Sequence, residues 1–188
     1  RHVAWGFTNS YGDWADFVKI QWLDAQQSAY RDAQGRRKTA VVHNERIEVK
    51  GGEAVVFEVK ETEFGPISKT INPRFALALQ WVAQKPGALN LELNNMARAQ
   101  NLDDALAVAA KAGIPGQNLL IGDKHGRIAW RLTAQIPNRV GDCDQSKPLD
   151  PSAGCVWQGW LQGTRNPALV DPASGRLWTA NARTVDGE

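Results

Sequence analysis

The sequence has 188 residues, of which 43% are hydrophobic and 22% charged, a composition typical of a folded domain with one sizeable core. Its 22 basic and 20 acidic side chains leave a formal net charge of +2 without a long block of either sign, so charge indicates no nucleic-acid partner. No apolar run approaches the roughly 20 residues of a membrane helix, and we expect no membrane partner.

The first half of the chain predicts a meander of strands. Alternating apolar residues mark 3–7, 15–23, 41–50, 54–59 and 76–82. The segment 15–23 also fits a helix, whereas Gly51 and Gly52 predict a hairpin turn between two of the strands. Because no initiating Met or leader precedes Arg1, we expect a processed or truncated chain.

The second half predicts a helical block followed by strands. Its predicted parts are a helical block at 93–113 capped by Asn94 or Asn95, paired strands at 118–121 and 127–133, a loop insertion at 140–156, and strands at 157–160 and 177–180. Strand runs with one helical block place the chain in the α+β class, with mostly antiparallel strands.

The two cysteines, Cys143 and Cys155, lie in a segment rich in Gly, Pro, Asp and Ser. They lack CxxC spacing, and with only three His in the chain a zinc site is not expected. Two alternatives stay open: a loop disulfide, if the protein is exported, or two free thiols.

Two long segments, AWGFTNSYGDWAD at 4–16 and GIPGQNLLIGDKHGRIAW at 113–130, resemble landmarks of the penicillin acylase (penicillin amidase) family, and they occur in the family's order. Shorter similarities at 136–139 and 171–176 extend the resemblance over essentially the whole chain. The resemblance implies that 1–188 is a single fragment of the family's large (beta) chain. Its fold would be part of the four-layer αββα fold of N-terminal nucleophile hydrolases.

The resemblance also implies the activity of the parent protein. Members cleave the amide bond of small acylated substrates, of the penicillin or acyl-homoserine-lactone type, through an acyl-enzyme on an N-terminal Ser exposed by precursor self-cleavage. That Ser lies outside this chain, so we expect the fragment alone to be inactive. The expected partners are the small (alpha) chain and the rest of the large chain, and the expected location is the periplasm or the exterior. The alternative is a non-catalytic, β-rich binding or scaffolding domain derived from the same fold.

Three residues match the catalytic positions of the family. The backbone N–H at Asn9 and the side-chain amide of Asn118 match donors to the oxyanion, and neutral donors suit a developing negative charge. Arg139 matches an arginine close to that second donor, where it would order the site or meet an acidic group. Without the resemblance, Asn9 and Asn118 would be turn residues and Arg139 an exposed loop residue.

A calcium site is the one metal site that the sequence suggests. Asp13, Asp16 and the carbonyl of Ala15 supply hard oxygens where the family often holds a structural calcium, with Asp123 as a weaker candidate. Full coordination takes six to eight oxygens, so we expect calcium only in the complete enzyme. A solvated turn is the alternative interpretation, and no residue is assigned to an organic cofactor.

Overall fold

The computed structural model describes residues 2–144, 146–161 and 165–182. Its strands, in chain order, are β1 (Val3–Asn9), β2 (Ala15–Gln21), β3 (Ala29–Arg31), β4 (Arg37–Thr39), β5 (Val41–Ile47), β6 (Val55–Thr62), β7 (Gly65–Asn72), β8 (Phe75–Trp81), β9 (Gln117–Asp123), β10 (Ile128–Thr133), β11 (Pro137–Val140), β12 (Val156–Trp160) and β13 (Ala168–Val170). The α-helix α1 spans Leu102–Lys111, and 3-10 helices span Val82–Gln84, Glu92–Arg98 and Pro151–Ala153. Within the described ranges, none of these helices combines the length and apolar character that crossing a bilayer requires.

The chain forms two compact units. Unit 1 consists of the described residues within Arg1–Trp14, Val82–Asn138 and Gly159–Glu188, and unit 2 of those within Ala15–Trp81 and Arg139–Gln158.

Unit 1 is built on an antiparallel sheet in the order β1-β9-β10-β13. Since successive side chains of a strand point to opposite faces, β9 presents Leu119 and Ile121 to one face and Asn118 to the other. Leu119 and Ile121 pack in one buried cluster with Leu102 and Ala105 of α1. The helical block therefore covers one face of the sheet, and Asn118 lies on the face that α1 does not cover.

The start of α1 differs from the sequence prediction. The cap of α1 is Asn101, whose side chain accepts a hydrogen bond from the N–H of Asp104, and Leu91 precedes the 3-10 helix, so the prediction that Asn94 or Asn95 caps the helical block is wrong. Those two asparagines lie inside the 3-10 helix Glu92–Arg98. Several Asn residues precede the Ala-rich run, and each of them could cap a helix as far as the sequence shows. Only the backbone geometry determines which one does.

Unit 2 is built on a second antiparallel sheet, in the order β2-β8-β7-β6-β5. Residues 15–21 are strand, so the helical alternative for this segment is wrong. Val18 and Ile20 are buried opposite Ala78 and Ala76 of β8, which leave room for the branched side chains. The predicted hairpin is present, with β5 paired to β6 across a turn in which Gly51 has a positive φ of 78°.

The cysteine pair belongs to unit 2. Cys143 and Cys155 form a disulfide with 5.1 Å between their Cα atoms, which confirms the first of the two alternatives. Cys155 is buried in the unit's core. Nearby, the N–H of Leu149 donates to Phe17 O and the N–H of Lys19 donates to Leu149 O, so part of 140–156 is tied to β2 by backbone hydrogen bonds.

Near the end of the described chain, one strand prediction is wrong. Residues 177–180 form no strand, and the strand of this region is β13. The polar groups of Thr179 and Ala180 instead meet the Thr8 hydroxyl, which explains why an alternating pattern did not produce sheet pairing.

Candidate active site

Asn118 is a fully buried amide near the start of β9, with 0% of its surface exposed. It lies opposite Thr8 of β1 and Leu132 of β10, so these three side chains share one face of the sheet. Its Oδ1 accepts a hydrogen bond of 3.1 Å from Trp130 Nε1. Because an indole N–H only donates, this contact identifies the amide oxygen and leaves the NH₂ group on the other side.

The NH₂ group of Asn118 meets carbonyl oxygens. Its Nδ2 lies 3.1 Å from the oxygen of Ala182, 3.3 Å from that of Asn9 and 3.5 Å from that of Ala180. All three acceptors require a donor, which agrees with the orientation set by Trp130. The amide is therefore held in one orientation from both of its ends.

The second predicted donor, the backbone N–H of Asn9, is also in use. It donates to Asn181 Oδ1 at 3.0 Å. The preceding residue, Thr8, bonds through its hydroxyl to Thr179 Oγ1 at 2.8 Å and to Ala180 O at 2.9 Å. Both predicted oxyanion donors thus bind oxygen atoms of one short segment, residues 179–182, which we call the covering segment.

Gly116, which directly precedes β9, packs closely against the Trp14 ring. A Cβ atom on Gly116 would collide with the Trp14 ring, so no other residue fits beside this indole. The Gly116 carbonyl also accepts the N–H of Ser10 at 3.2 Å. The motif glycine therefore holds the start of β9 against the end of β1, which is the arrangement that brings Asn118 close to Asn9.

Comparison with known proteins gives the relationship. The model of a family described as penicillin amidase matches residues 1–188.

The chain belongs to the penicillin amidase family.

Among its relatives are an acyl-homoserine lactone acylase QuiP of Pseudomonas fluorescens, 28% identical over 97% of this chain, and a penicillin G acylase of Escherichia coli, 27% identical over 93% of it. The chain spans 23% and 21% of the lengths of these two relatives. A thermostable penicillin G acylase from Alcaligenes faecalis has a structure that matches all of this chain and 34% of its own, with a TM-score of 0.83 at 24% identity. This match confirms the predicted fold class.

In this family member, Arg139 is not the exposed loop residue of the alternative interpretation. It lies in unit 2, where its Nε is 2.9 Å from Asp16 Oδ2, and only 9% of its side chain and 15% of that of Asp16 are exposed. Trp157 Nε1 donates to the same oxygen at 2.5 Å, and its ring centre is 5.6 Å from the Arg139 guanidinium carbon. Arg139 therefore meets an acidic group, and its predicted place close to the Asn118 donor stays a prediction.

This ion pair bears on the predicted calcium site at Asp13, Ala15 and Asp16. One carboxylate oxygen of Asp16 already receives two donors, one of them positively charged. Over the described part of the chain, no group of three or more His, Cys, Asp or Glu side chains gathers as a metal site would require. Asp13, Asp16 and the Ala15 carbonyl therefore do not make up a calcium site by themselves, because six to eight oxygens are needed and one oxygen of Asp16 already receives two donors.

Asp123, the weaker calcium candidate, has a structural task. Its carboxylate accepts the backbone N–H groups of Leu102, His125 and Arg127 at 2.9–3.1 Å, which joins the start of α1 to the turn between β9 and β10. Burial raises the pKa of Asp123, but the three N–H groups together hold it below its ordinary value. The carboxylate is therefore ionised and engaged in the fold.

Trp130 and the covering segment are two features of the site that the sequence pattern alone does not indicate. Trp130 is the last residue of the second motif, and the family resemblance assigns it no role. The signal for its role is its position: it lies two residues along β10 from Leu132, which is opposite Asn118, and its indole N–H can only donate. The covering segment overlaps residues for which alternation predicts a strand. No local pattern relates Asn181 to Asn9, since 172 residues separate them in the chain.

Proposed function

We propose that this chain is part of an amide hydrolase, in which Asn118 and the N–H of Asn9 stabilise the oxyanion formed from a small acylated substrate. The observation that carries the proposal is the pairing of these two N–H donors at one end of the β1–β9 pair, each bound to an oxygen of the covering segment. The substrates named for the relatives, penicillin G and acyl-homoserine lactones, define the class of amide that we expect.

The proposed reaction follows from what the donors offer. A serine hydroxyl outside this chain attacks the carbonyl carbon, and the carbonyl oxygen becomes negatively charged. Two N–H groups that meet this charge stabilise the transition state more than the ground state. The carbon–nitrogen bond then breaks, the amine leaves with a proton, and water releases the acid from the acyl-enzyme. Both donors are amide N–H groups, whose nitrogen lone pair is delocalised into the carbonyl, so neither of them serves as the base.

The covering segment places a condition on this mechanism. A substrate oxygen can take the N–H of Asn9 only if Asn181 Oδ1 gives up its 3.0 Å bond, and it competes with the Ala182 carbonyl for Asn118. We therefore infer that the segment shifts locally when substrate binds. Because the oxygens that it offers are uncharged, an oxyanion forms the stronger hydrogen bonds and favours the exchange.

The wider setting of the enzyme is part of the proposal. The Cys143–Cys155 disulfide supports an oxidising compartment, the periplasm or the exterior, because cytosolic thiols stay reduced. The partners would be the small chain and the rest of the large chain of one precursor. Calcium stays a prediction for that complete enzyme only, with most ligands supplied by other segments.

An assay with chromogenic phenylacetyl and long-chain acyl amides tests the proposal. We expect the complete protein to release the chromophore and the purified 188-residue chain to be inert, because oxyanion donors without nucleophile and base supply only a small part of the acceleration. Turnover by the isolated chain after removal of contaminants would contradict the assignment of the nucleophile. A correctly processed complete protein that cleaves neither amide would favour the non-catalytic binding domain.

A further inference from the structure

Trp130 donates its indole N–H to the amide oxygen of Asn118. It lies on β10 opposite Leu120, two residues along β9 from Asn118, so both side chains project from the same face of the sheet. Its ring packs against the small cluster that contains Leu132. The indole is thus held by its strand and by its neighbours independently of the hydrogen bond.

The chemistry of this contact is directional. An amide rotated by half a turn would point its NH₂ group at the indole N–H and its oxygen at the carbonyls of Asn9, Ala180 and Ala182, so donor would face donor and acceptor would face acceptor. The indole therefore selects the orientation in which Asn118 offers N–H groups to the site. A donor on the amide oxygen also polarises the amide and strengthens the hydrogen bonds that its N–H groups donate.

Trp130 contributes more to the orientation of the Asn118 amide when substrate binds. In the present arrangement, the carbonyls of Ala180 and Ala182 help to orient the amide. If a substrate oxygen takes the place of the covering segment, those acceptors are lost from the amide and the indole contact at Oδ1 remains. The Asn9 carbonyl stays beside the NH₂ group, and Trp130 holds the oxygen end of the amide during the step in which negative charge develops.

We propose that Trp130 is a positioning residue for the reaction: its indole N–H fixes the Asn118 amide so that Nδ2 faces the oxyanion. Trp130 does not touch the reacting atoms and acts through Asn118. The inference rests on the proposed function, and it adds a specific task for a residue in the GRIAW segment.

A double-mutant cycle in the complete, processed enzyme tests the inference. The variants are Trp130→Phe, Asn118→Ala and the combination of both. Trp5→Phe serves as the control, because Trp5 pairs with Ile121 on the opposite face of the same sheet. We expect Trp130→Phe to lower kcat about tenfold with little change in KM, since one hydrogen bond that matters mainly in the transition state is lost.

In the Asn118→Ala background, the further loss of the indole N–H should change kcat by less than about twofold, because the amide on which it acts is gone. Trp5→Phe should keep normal kcat. A Trp130→Phe enzyme with normal kcat, or one whose loss is the same in both backgrounds, overturns the inference. If Asn118→Ala itself keeps normal kcat, the proposed role of Asn118 fails, which is a separate result.

A second variant covers the case in which the smaller ring disturbs folding. Benzothienylalanine at position 130 keeps the shape of the indole and replaces its N–H by sulfur, so packing is preserved and only the donor is removed. We expect the same loss of about tenfold in kcat in a folded enzyme whose Tm falls modestly, because the buried Asn118 oxygen loses a donor. Normal kcat with this residue overturns the inference even if Trp130→Phe does not fold.

Discussion

Each of the two units holds one of the polar centres described above, and these two centres differ in charge. In unit 1 the centre is the neutral Asn118 amide, held by Trp130 and by backbone carbonyls. In unit 2 it is the Asp16–Arg139 ion pair, with Trp157 on the same carboxylate oxygen. A neutral amide can exchange one acceptor for another without leaving an uncompensated charge. A buried ion pair that loses one partner leaves such a charge, which lowers the free energy of unfolding by several kcal/mol, on the order of 3–5. The first arrangement suits catalysis and the second suits stability.

The units also differ in the contacts that hold their chain segments together. Unit 1 covers its sheet with α1 and uses the Asp123 carboxylate to tie the helix to the β9–β10 turn. In unit 2, small alanines lie opposite Val18 and Ile20. The Cys143–Cys155 disulfide forms a covalent link within the segment Arg139–Gln158. Changes in unit 1 should therefore act on turnover and changes in unit 2 on the free energy of unfolding.

The largest effect is expected from Asn118→Ala in the complete enzyme. Loss of one oxyanion donor should lower kcat by about a hundredfold or more, equivalent to about 2.7–4 kcal/mol, with a smaller change in KM. Asn9→Ala is the matched control, because the backbone N–H survives truncation of the side chain and its kcat should fall much less. A folded, processed Asn118→Ala enzyme of near-normal kcat beside an inactive Asn9→Ala enzyme would show that the two donors are wrongly assigned.

In unit 2, Arg139→Met should act on stability. It leaves the Asp16 carboxylate without its cation in a site where 15% of that side chain is exposed, and we expect a loss of about 3 kcal/mol in urea unfolding. Addition of Asp16→Asn to this variant should recover part of the loss, because the uncompensated charge is removed. If Arg139→Met unfolds at the same urea concentration as the wild type, the ion pair does not stabilise the fold.

Removal of the disulfide should have a somewhat smaller effect. Changing both Cys143 and Cys155 to Ser opens a loop with a sequence separation of 12, for which the entropy of the unfolded chain predicts a loss of about 2.8 kcal/mol. Thermal unfolding with and without reductant measures it in the wild type, and the double Ser variant should not respond to reductant. Equal unfolding of the oxidised and reduced wild type would contradict the contribution of the disulfide.

The smallest effect is a dependence on pH through Asp32 in unit 2. Burial raises the pKa of this carboxyl, but the side chain and N–H of Arg36 and the N–H of Gln34 bring it below its ordinary value. A depressed pKa stabilises the fold above the unfolded value of about 3.9, and the contribution is lost as pH falls through the folded value. Acid titration of stability should show this loss in the wild type and a flatter profile in Asp32→Asn. Parallel profiles would rule out a contribution from this carboxylate.

Local sequence pattern predicted part of the structure. The β9–β10 pair, the β5–β6 hairpin and the α+β class follow from alternation and turn residues, and each is present. The cap at Asn101 and the covering segment were missed for a physical reason. Choosing among several asparagines depends on backbone geometry, and the contact of Asn181 with Asn9 joins the two ends of the described chain. A long motif identified Asn118, whereas its partner Trp130 became evident only from the register of β9 and β10.

The proposed mechanism requires that the N–H of Asn9 and the amide of Asn118 together bind the oxyanion. The most direct measurement is a crystal structure of the complete enzyme with a boronic acid analogue of the acyl group bound to its serine. We expect one anionic oxygen about 2.7–3.1 Å from both Asn9 N and Asn118 Nδ2, with Asn181 Oδ1 no longer on Asn9. An analogue whose oxygen is held by other donors, while Asn181 and Ala182 keep their present hydrogen bonds, would contradict the mechanism.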